Sequence, residues 1–213
     1  MKVSIVQAPR EPFILAGTAA GICYGKDAAK EEPAKTKRRA ERCYEMKHDS
    51  VWEHVAVTFR IEGISRACSH QLVRHRLASY CQESQRYCRY DKIEEVDVDD
   101  WMVIPPDVKA SKNSAVLRAF KAHAIQGLLA YKEMLRDGVK PEDARFLLPE
   151  GTKTNLIATM NLRQFFHFLD MRADSHAQWE IRELAREMTT ALREYDEDYG
   201  DAVDMYLKGR NNG

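Results

Sequence analysis

A chain of 213 residues is long enough to bury a hydrophobic core without disulfides, and it falls within the size range of one domain. Its 33 lysines and arginines balance 33 aspartates and glutamates, which excludes a global positive field that would draw the protein to nucleic acid or to an anionic membrane. Any bound anion must therefore be held by a local cluster of donors. We expect one domain over residues 1–213.

The five cysteines are odd in number and form no C-x-x-C pair. This pattern argues against a disulfide framework or a metal site and is typical of a reducing compartment. The first residues carry prolines and charges where a signal peptide needs an apolar core, and no window approaches the ~20 apolar residues of a membrane-spanning helix. We therefore expect a cytoplasmic protein with no metal and no membrane partner.

The N-terminal part of the chain predicts a short strand and a charged approach to a helix. Residues 2–8 read as the strand. Residues 26–42 are highly charged and are interrupted by Pro33, so they predict a solvated loop that enters a helix near Thr36.

The next segment predicts a half-buried strand followed by a helix. Residues 54–62 alternate between apolar and polar, and Gly63 is expected to end the strand. Residues 64–76 then show helical spacing. The side chains on the buried face of the strand are Val55, Val57, Phe59 and Ile61. Those on the helical stripe are Ile64, Ala67, Cys68, Gln71 and Leu72.

The middle of the chain predicts a loop and two helices. The acidic residues 91–106 favour a loop with short extended pieces over a core element. Residues 112–136 carry apolar side chains without a proline and predict a long amphipathic helix that ends near Gly138. Pro141 then opens a shorter helix over residues 141–148.

The C-terminal part predicts a strand and two further helices. Residues 152–159 are rich in threonine and branched side chains, which favours the strand. Residues 162–171 and 176–195 predict the helices, and Asp174 or Ser175 is expected to cap the second. The whole chain is therefore expected to be α+β, with a central mixed or antiparallel sheet flanked by long helices.

The densest chemistry lies in residues 74–87, RHRLASYCQESQRY. Arginine, histidine, serine and glutamine side chains dominate this segment and offer many fixed hydrogen-bond donors with few apolar anchors, an arrangement suited to a phosphorylated ligand. The alternative is a solvated helix end whose arginines pair with Glu83 or with the acidic residues 91–100.

A second group of polar side chains follows later in the chain. Arg163 and His167 are separated by one helical turn, so both can reach one ligand. A buried core histidine is the alternative for His167. Three more candidates accompany them: Arg145, Asn161 and Arg172.

Two blocks of the sequence resemble the flavin-dependent thymidylate synthases. Arg74-His75-Arg76, seven residues and Ser84 match the R-H-R-x7-S signature of that family, and residues 161–185, NLRQFFHFLDMRADSHAQWEIRELA, resemble its C-terminal half. The resemblance covers residues 48–184, whereas the first 45 residues and the tail carry little of it.

The resemblance implies the thymidylate synthase-complementing protein fold and a methyltransferase that converts dUMP to dTMP. FAD would be the cofactor, NADPH its reductant and 5,10-methylenetetrahydrofolate the one-carbon donor. The active sites would lie at the subunit interfaces of a homotetramer. FAD would be held without a glycine-rich fingerprint, which this sequence lacks.

The resemblance also implies roles for single residues. Arg172 would be the catalytic residue, whose guanidinium stabilises negative charge on the uracil ring. Ser84 would bind the nucleotide and not act as a nucleophile, and Cys81 would be an ordinary residue of its loop. The positions implied for FAD are Ser50, Arg74, His75, Arg76, Gln82, Asn161, Arg163 and His167. Those implied for dUMP are Gln71, Arg74, Gln82, Ser84, Gln85, Arg86, Arg145 and Arg172.

Two other classes of function remain open on the residues alone. In a nucleic-acid-binding module, arginines of residues 74–89 would contact phosphates while Tyr80, Tyr87 and Tyr90 stack on bases. The zero net charge and the acidic residues that follow weigh against this class, and we expect no nucleic-acid partner. The other class is a nucleotide-binding protein without catalytic activity, or a flavoprotein that has kept the pocket and lost the reaction.

Overall fold

The computed structural model describes residues 1–27, 30–93 and 97–211. In these ranges four strands form one antiparallel sheet with the order β1-β2-β4-β3, so the predicted α+β class is confirmed. The strands are β1 (Lys2–Gln7), β2 (Ala56–Ser65), β3 (Ala78–Gln82) and β4 (Lys153–Asn161). The α-helices are α1 (Pro12–Ile22), α2 (Pro33–Glu45), α3 (Arg66–Leu72), α4 (Val98–Trp101), α5 (Pro106–Lys109), α6 (Ser114–Arg136), α7 (Pro141–Ala144), α8 (Leu162–Arg172), α9 (Trp179–Tyr195) and α10 (Glu197–Asn211). Within the described ranges, 3-10 helices also span Asp49–His54 and Arg145–Leu147.

Residue contacts divide the chain into two compact units. Unit 1 comprises Met1–Ile61, Val73–Tyr80 and Ile157–Gly213, and unit 2 comprises Glu62–Leu72 and Cys81–Leu156. The expectation of one domain over residues 1–213 stays a prediction.

The core of unit 1 is built on the predicted alternation of β2. The four side chains expected on its inner face are fully buried, and the ring of Phe59 stacks on Phe165 of α8 with centroids 5.7 Å apart. The prediction that Gly63 ends this strand is wrong. Gly63 adopts a φ of 74°, which glycine tolerates, and the strand continues to Ser65.

The N-terminal helices depart from the sequence prediction in two ways. Helix α1 was not predicted, because it consists mainly of small and apolar residues and has no polar face. Its Phe13 packs edge-on against Trp52, with 5.4 Å between the ring centroids. Helix α2 begins at Pro33 and not near Thr36. A proline in the first helical turn costs nothing, since its missing N–H would have no partner within the helix there.

Unit 2 has a separate apolar core around α6, whose predicted span is confirmed. The interpretation of residues 91–106 as a loop outside the core is wrong for the residues from 97 onward. There Val98 and Trp101 of α4 are buried, whereas Asp99 is half-buried and Asp100 is exposed. The acidic composition of the segment therefore gave no indication that one face of the helix is buried. Residues 94–96 of the predicted loop lie outside the described residues.

The C-terminal helices complete unit 1. Helix α8 has its predicted position, whereas α9 begins at Trp179 and is capped by Gln178, whose side chain accepts hydrogen bonds from two backbone N–H groups. The predicted cap at Asp174 or Ser175 is wrong because the Asp174 carboxylate accepts the N–H of His176 within the preceding corner, at 2.8 Å.

Helix α10 was not predicted from the sequence. It is tied to the N-terminal segment by the Tyr199 hydroxyl, which donates to the Pro9 carbonyl at 2.9 Å. Among the described helices, none combines the length and apolarity that crossing a bilayer requires.

The close contact between α1 and α2 yields a stability prediction at Gly17. A Cβ at this position would overlap the backbone carbonyl of Thr36, so Gly17→Ala must push the two helices apart. We expect the free energy of unfolding to fall by about 1–3 kcal/mol, measured by urea denaturation. Gly200→Ala in α10 is the matched control, because its Cβ would meet only Arg193 Cγ at 3.8 Å. Equal stabilities of the two variants would contradict this packing.

Candidate functional site

A cavity of about 900 Å³ lies in unit 1 beside the outward face of α8. Its walls come from the end of α2, the 3-10 helix Asp49–His54, α8 and α10, and include the side chains of Trp52 and Phe166. This volume is near the upper end of the range found for small-molecule and cofactor sites.

The amphipathic character of α8 directs two predicted residues into this cavity. The Asn161 side chain caps the helix by accepting the N–H of Gln164 at 2.9 Å, while Phe165 and Phe168 are buried. Arg163 and His167 lie on the opposite side and line the cavity, so their predicted common face is confirmed. The alternative of a buried core histidine is wrong because His167 is exposed.

Charge in the cavity is mixed. The Arg163 guanidinium pairs with the Glu53 carboxylate, and both side chains are about half exposed. Such a half-exposed pair is worth little, so a phosphate can replace the carboxylate at small cost. Asp49 also lines the cavity, whereas its neighbour Ser50 is exposed and is not among the described residues that form the walls.

The Arg74-His75-Arg76 triplet occupies the turn between α3 and β3. His75 is buried, with its ring edge-on to Phe168 at 4.9 Å and 6.3 Å from the ring of His167. Arg74 and Arg76 are exposed on either side of it. The triplet therefore combines one inward imidazole with two guanidinium groups that face solvent.

Arg172 ends α8 and is fixed by this imidazole. Its Nε–H donates to His75 Nε2 at 3.0 Å, which requires a neutral histidine. Burial, the Arg172 charge and His167 together lower the pKa of His75 from 6.5 to about 4, so the ring stays a hydrogen-bond acceptor at neutral pH.

The other residues that the resemblance implies for dUMP lie in unit 2. Glu142 contacts two of them. Its carboxylate pairs with Arg86 Nε at 2.9 Å, and its backbone carbonyl accepts a hydrogen bond from Arg145 Nε at 3.0 Å. Ser84 Oγ accepts the backbone N–H of Arg86 at 3.3 Å, and no histidine of the described residues is its partner. A basic side chain is what a serine nucleophile needs, so this geometry favours a binding role.

Gln82 and its neighbours complete that group. The Gln82 amide donates to Ser69 Oγ at 2.9 Å and to Thr154 Oγ1 at 3.2 Å, which fixes it at the end of β3. Gln85 is buried and Gln71 is half-buried in α3. The structure thus gathers Ser84, Arg86 and Arg145 in unit 2, whereas Arg74 and Arg172 of the same predicted set belong to unit 1.

The sequence reasoning missed the aromatic side chains of the cavity. Tyr44, Trp52 and Tyr206 all line it, and all three lie outside the two recognisable blocks. The only signal was their apolar character, which does not distinguish a ligand wall from a core.

Comparison with known proteins decides the family. The model of the family described as thymidylate synthase complementing protein matches residues 4–196. The chain belongs to this family. The similarity of this chain to the family thus extends beyond residues 48–184 at both ends. The expectation that the first 45 residues carry little of the resemblance is wrong.

Relatives and a solved structure agree with the family match. The flavin-dependent thymidylate synthase of Thermococcus onnurineus is 40% identical over 205 residues, which cover 92% of this chain and 80% of the relative. That of Geobacter sulfurreducens is 41% identical over 200 residues, covering 91% and 82%. The crystal structure of flavin-dependent thymidylate synthase ThyX from Helicobacter pylori, complexed with FAD and dUMP, is 25% identical, with a TM-score of 0.74 and coverage of 90% of this chain and 94% of that chain.

The lowered pKa of His75 predicts how the stability of this protein depends on pH. Between pH 6.5 and about 4, His75 binds a proton in the unfolded chain but stays neutral in the folded protein. The contribution of neutral His75 to the free energy of unfolding is therefore complete above pH 6.5 and is lost as the pH falls to about 4. Replacing the ring by an uncharged amide in His75→Gln should make the decline in unfolding free energy shallower, measured by urea denaturation of the apoprotein across this window.

His48→Gln is the control for this prediction because it replaces an exposed histidine. It should keep the pH dependence of the wild type. If His75→Gln and the wild type lose stability in parallel, His75 does not resist protonation in the folded protein.

Proposed function

We propose that this chain converts dUMP to dTMP by reductive methylation, as a FAD-dependent methyltransferase. The one-carbon unit comes from 5,10-methylenetetrahydrofolate, and NADPH reduces the flavin. The observation that supports this most strongly is that the fold of a synthase complexed with FAD and dUMP is reproduced over nine tenths of this chain. The two groups of donors described above supply suitable chemistry for the two ligands.

The cavity of unit 1 fits FAD in size and chemistry. Its volume suits a large ligand, the buried rings of Trp52 and Phe166 make part of its wall apolar, and Arg163 and His167 offer donors for a diphosphate. Arginine and histidine side chains here replace the glycine-rich loop that many dinucleotide sites use. Arg74, His75 and Arg76 would add donors, with Ser50, Gln82 and Asn161 as the remaining proposed FAD contacts.

Arg172 is the proposed catalytic residue. When bound, the reduced flavin supplies a hydride for C6 of the uracil ring. The negative charge that then develops on the carbonyl and N3 edge needs a fixed donor, and one well-placed donor is worth ~3 kcal/mol in other enzymes. Arg172 uses its Nε–H on His75, and within the part of the chain that the structure describes its two Nη groups keep their N–H donors for the substrate.

The dUMP phosphate would be bound in unit 2 by Ser84, Arg86 and Arg145. The Arg86–Glu142 ion pair holds the guanidinium in place before the nucleotide arrives, and a doubly charged phosphate competes well against one half-exposed carboxylate. Gln71, Gln82 and Gln85 would complete the site as uncharged donors and acceptors.

Assembly and location are further parts of the proposal. A homotetramer with active sites at subunit interfaces is supported by the exposed apolar side chains of Phe146, which is 83% exposed, and Leu147, since these are the two residues that follow Arg145. A cytoplasmic location is supported by the cysteines, because all five lie in the described ranges and all are free thiols.

Replacing Arg172 tests the catalytic role. Arg172→Ala should retain FAD and lose about 100-fold or more in turnover, because a donor to the developing charge is removed. The assay follows dTMP formation from dUMP, methylenetetrahydrofolate and NADPH, and the visible flavin spectrum reports bound FAD. Arg186→Ala, which removes an exposed arginine of α9, should match the wild type. Unchanged turnover in Arg172→Ala would remove this residue from the chemistry.

Replacing Ser84 tests the binding role of the signature serine. Ser84→Ala should weaken dUMP binding by about tenfold or more, as expected for one hydrogen bond to a charged group, and keep measurable turnover at saturating dUMP. Titration calorimetry measures the affinity, with Ser111→Ala as the control. A folded, dUMP-saturated Ser84→Ala variant without any turnover would show that the serine takes part in the reaction.

A further inference from the structure

Helix α10 lies beyond the part of the chain that the family model matches, yet it contributes to the cavity of α8. The match ends at residue 196, and α10 spans Glu197–Asn211. Tyr206 and Gly209 of this helix are among the residues that form the cavity wall. A segment outside the matched region thus contributes to the site where we propose that FAD binds.

Tyr206 makes two specific contacts with α8. Its ring lies parallel to that of Phe166, with an angle of 2° between the planes and 4.6 Å between the centroids. Its hydroxyl donates a hydrogen bond to the Asp170 carboxylate. Phe166 and Asp170 both line the cavity themselves and are separated by one helical turn.

The backbone around Tyr206 is also fixed. Its carbonyl accepts a hydrogen bond from the Tyr44 hydroxyl at 3.2 Å, and Tyr44 is another cavity residue. A Cβ on Gly209 would approach that hydroxyl to 2.8 Å, so the Tyr44 side chain leaves no room for a larger residue unless it shifts. Tyr206 is only 7% exposed and therefore acts mainly through its neighbours.

We infer that Tyr206 is a positioning residue of the FAD site, which holds Phe166 and Asp170 in the orientation that admits the cofactor; this inference rests on the proposed function. The stacked ring fixes the orientation of Phe166, a buried residue of the cavity wall. The hydroxyl donates to the Asp170 carboxylate and so fixes the direction of this cavity side chain.

Substitutions of Tyr206 in the full-length protein test this inference through FAD affinity, measured by flavin fluorescence titration. Tyr206→Leu keeps an apolar side chain in the buried position but loses the stack and the hydroxyl, and should weaken FAD binding by about tenfold. Tyr206→Phe restores the ring and should recover most of that loss. This rescue separates the orientation of Phe166 from mere filling of space.

Tyr199→Leu is the matched control, because it changes a buried tyrosine of the same helix whose hydroxyl binds Pro9 and which does not line the cavity. It should lower the melting temperature and leave the FAD dissociation constant within about twofold of the wild type. Wild-type affinity in Tyr206→Leu, or equal weakening in Tyr199→Leu, would overturn the inference.

A second variant covers the case in which Tyr206→Leu does not fold. Gly209→Ala should press on the Tyr44 hydroxyl and weaken FAD binding severalfold, and wild-type affinity in this variant would count against the role of α10. The wild-type titration separates this inference from the proposed function. No flavin binding by the wild type would refute both, whereas normal binding that Tyr206 substitutions leave unchanged would refute only the inference.

Discussion

The packing of one face of α8 against β2 is the constraint on which the candidate site depends. Phe165 of α8 stacks on Phe59 of β2, and Phe168 is buried beside it. Because a helix turns once every 3.6 residues, burying these positions forces Arg163 and His167 to the opposite side, where the cavity lies. The hydrophobic burial that stabilises unit 1 therefore also directs two polar side chains toward one ligand.

The end of the same helix couples folding to electrostatics. Arg172 can donate to His75 only while the imidazole is neutral, and the buried position beside Phe168 keeps it neutral. The guanidinium is thus held by an uncharged acceptor that does not cancel its positive charge. A carboxylate in the place of His75 would fix Arg172 equally well but would weaken the positive field that Arg172 would exert on a uracil ring in the proposed site.

The sequence predicted the features that depend on neighbouring residues and missed those that depend on distant ones. The alternation around Phe59 predicted β2, and the i,i+4 spacing of Arg163 and His167 predicted their common face. The hydrogen bond from Arg172 to His75 joins residues 97 positions apart, and no local pattern contains it. The contact of Tyr206 with α8 was missed for the same reason. Acidic neighbours likewise concealed the buried helix α4, because local composition does not show which way a side chain points.

A crystal structure of this protein with FAD bound tests the central claim most directly, since that claim is that the cavity beside α8 holds the cofactor. The account predicts the FAD diphosphate within hydrogen-bond distance of Arg163 and His167, with the Arg163–Glu53 pair broken and an apolar ring surface of the wall against the cofactor. FAD bound elsewhere on the protein, with Arg163 still paired to Glu53, would contradict it.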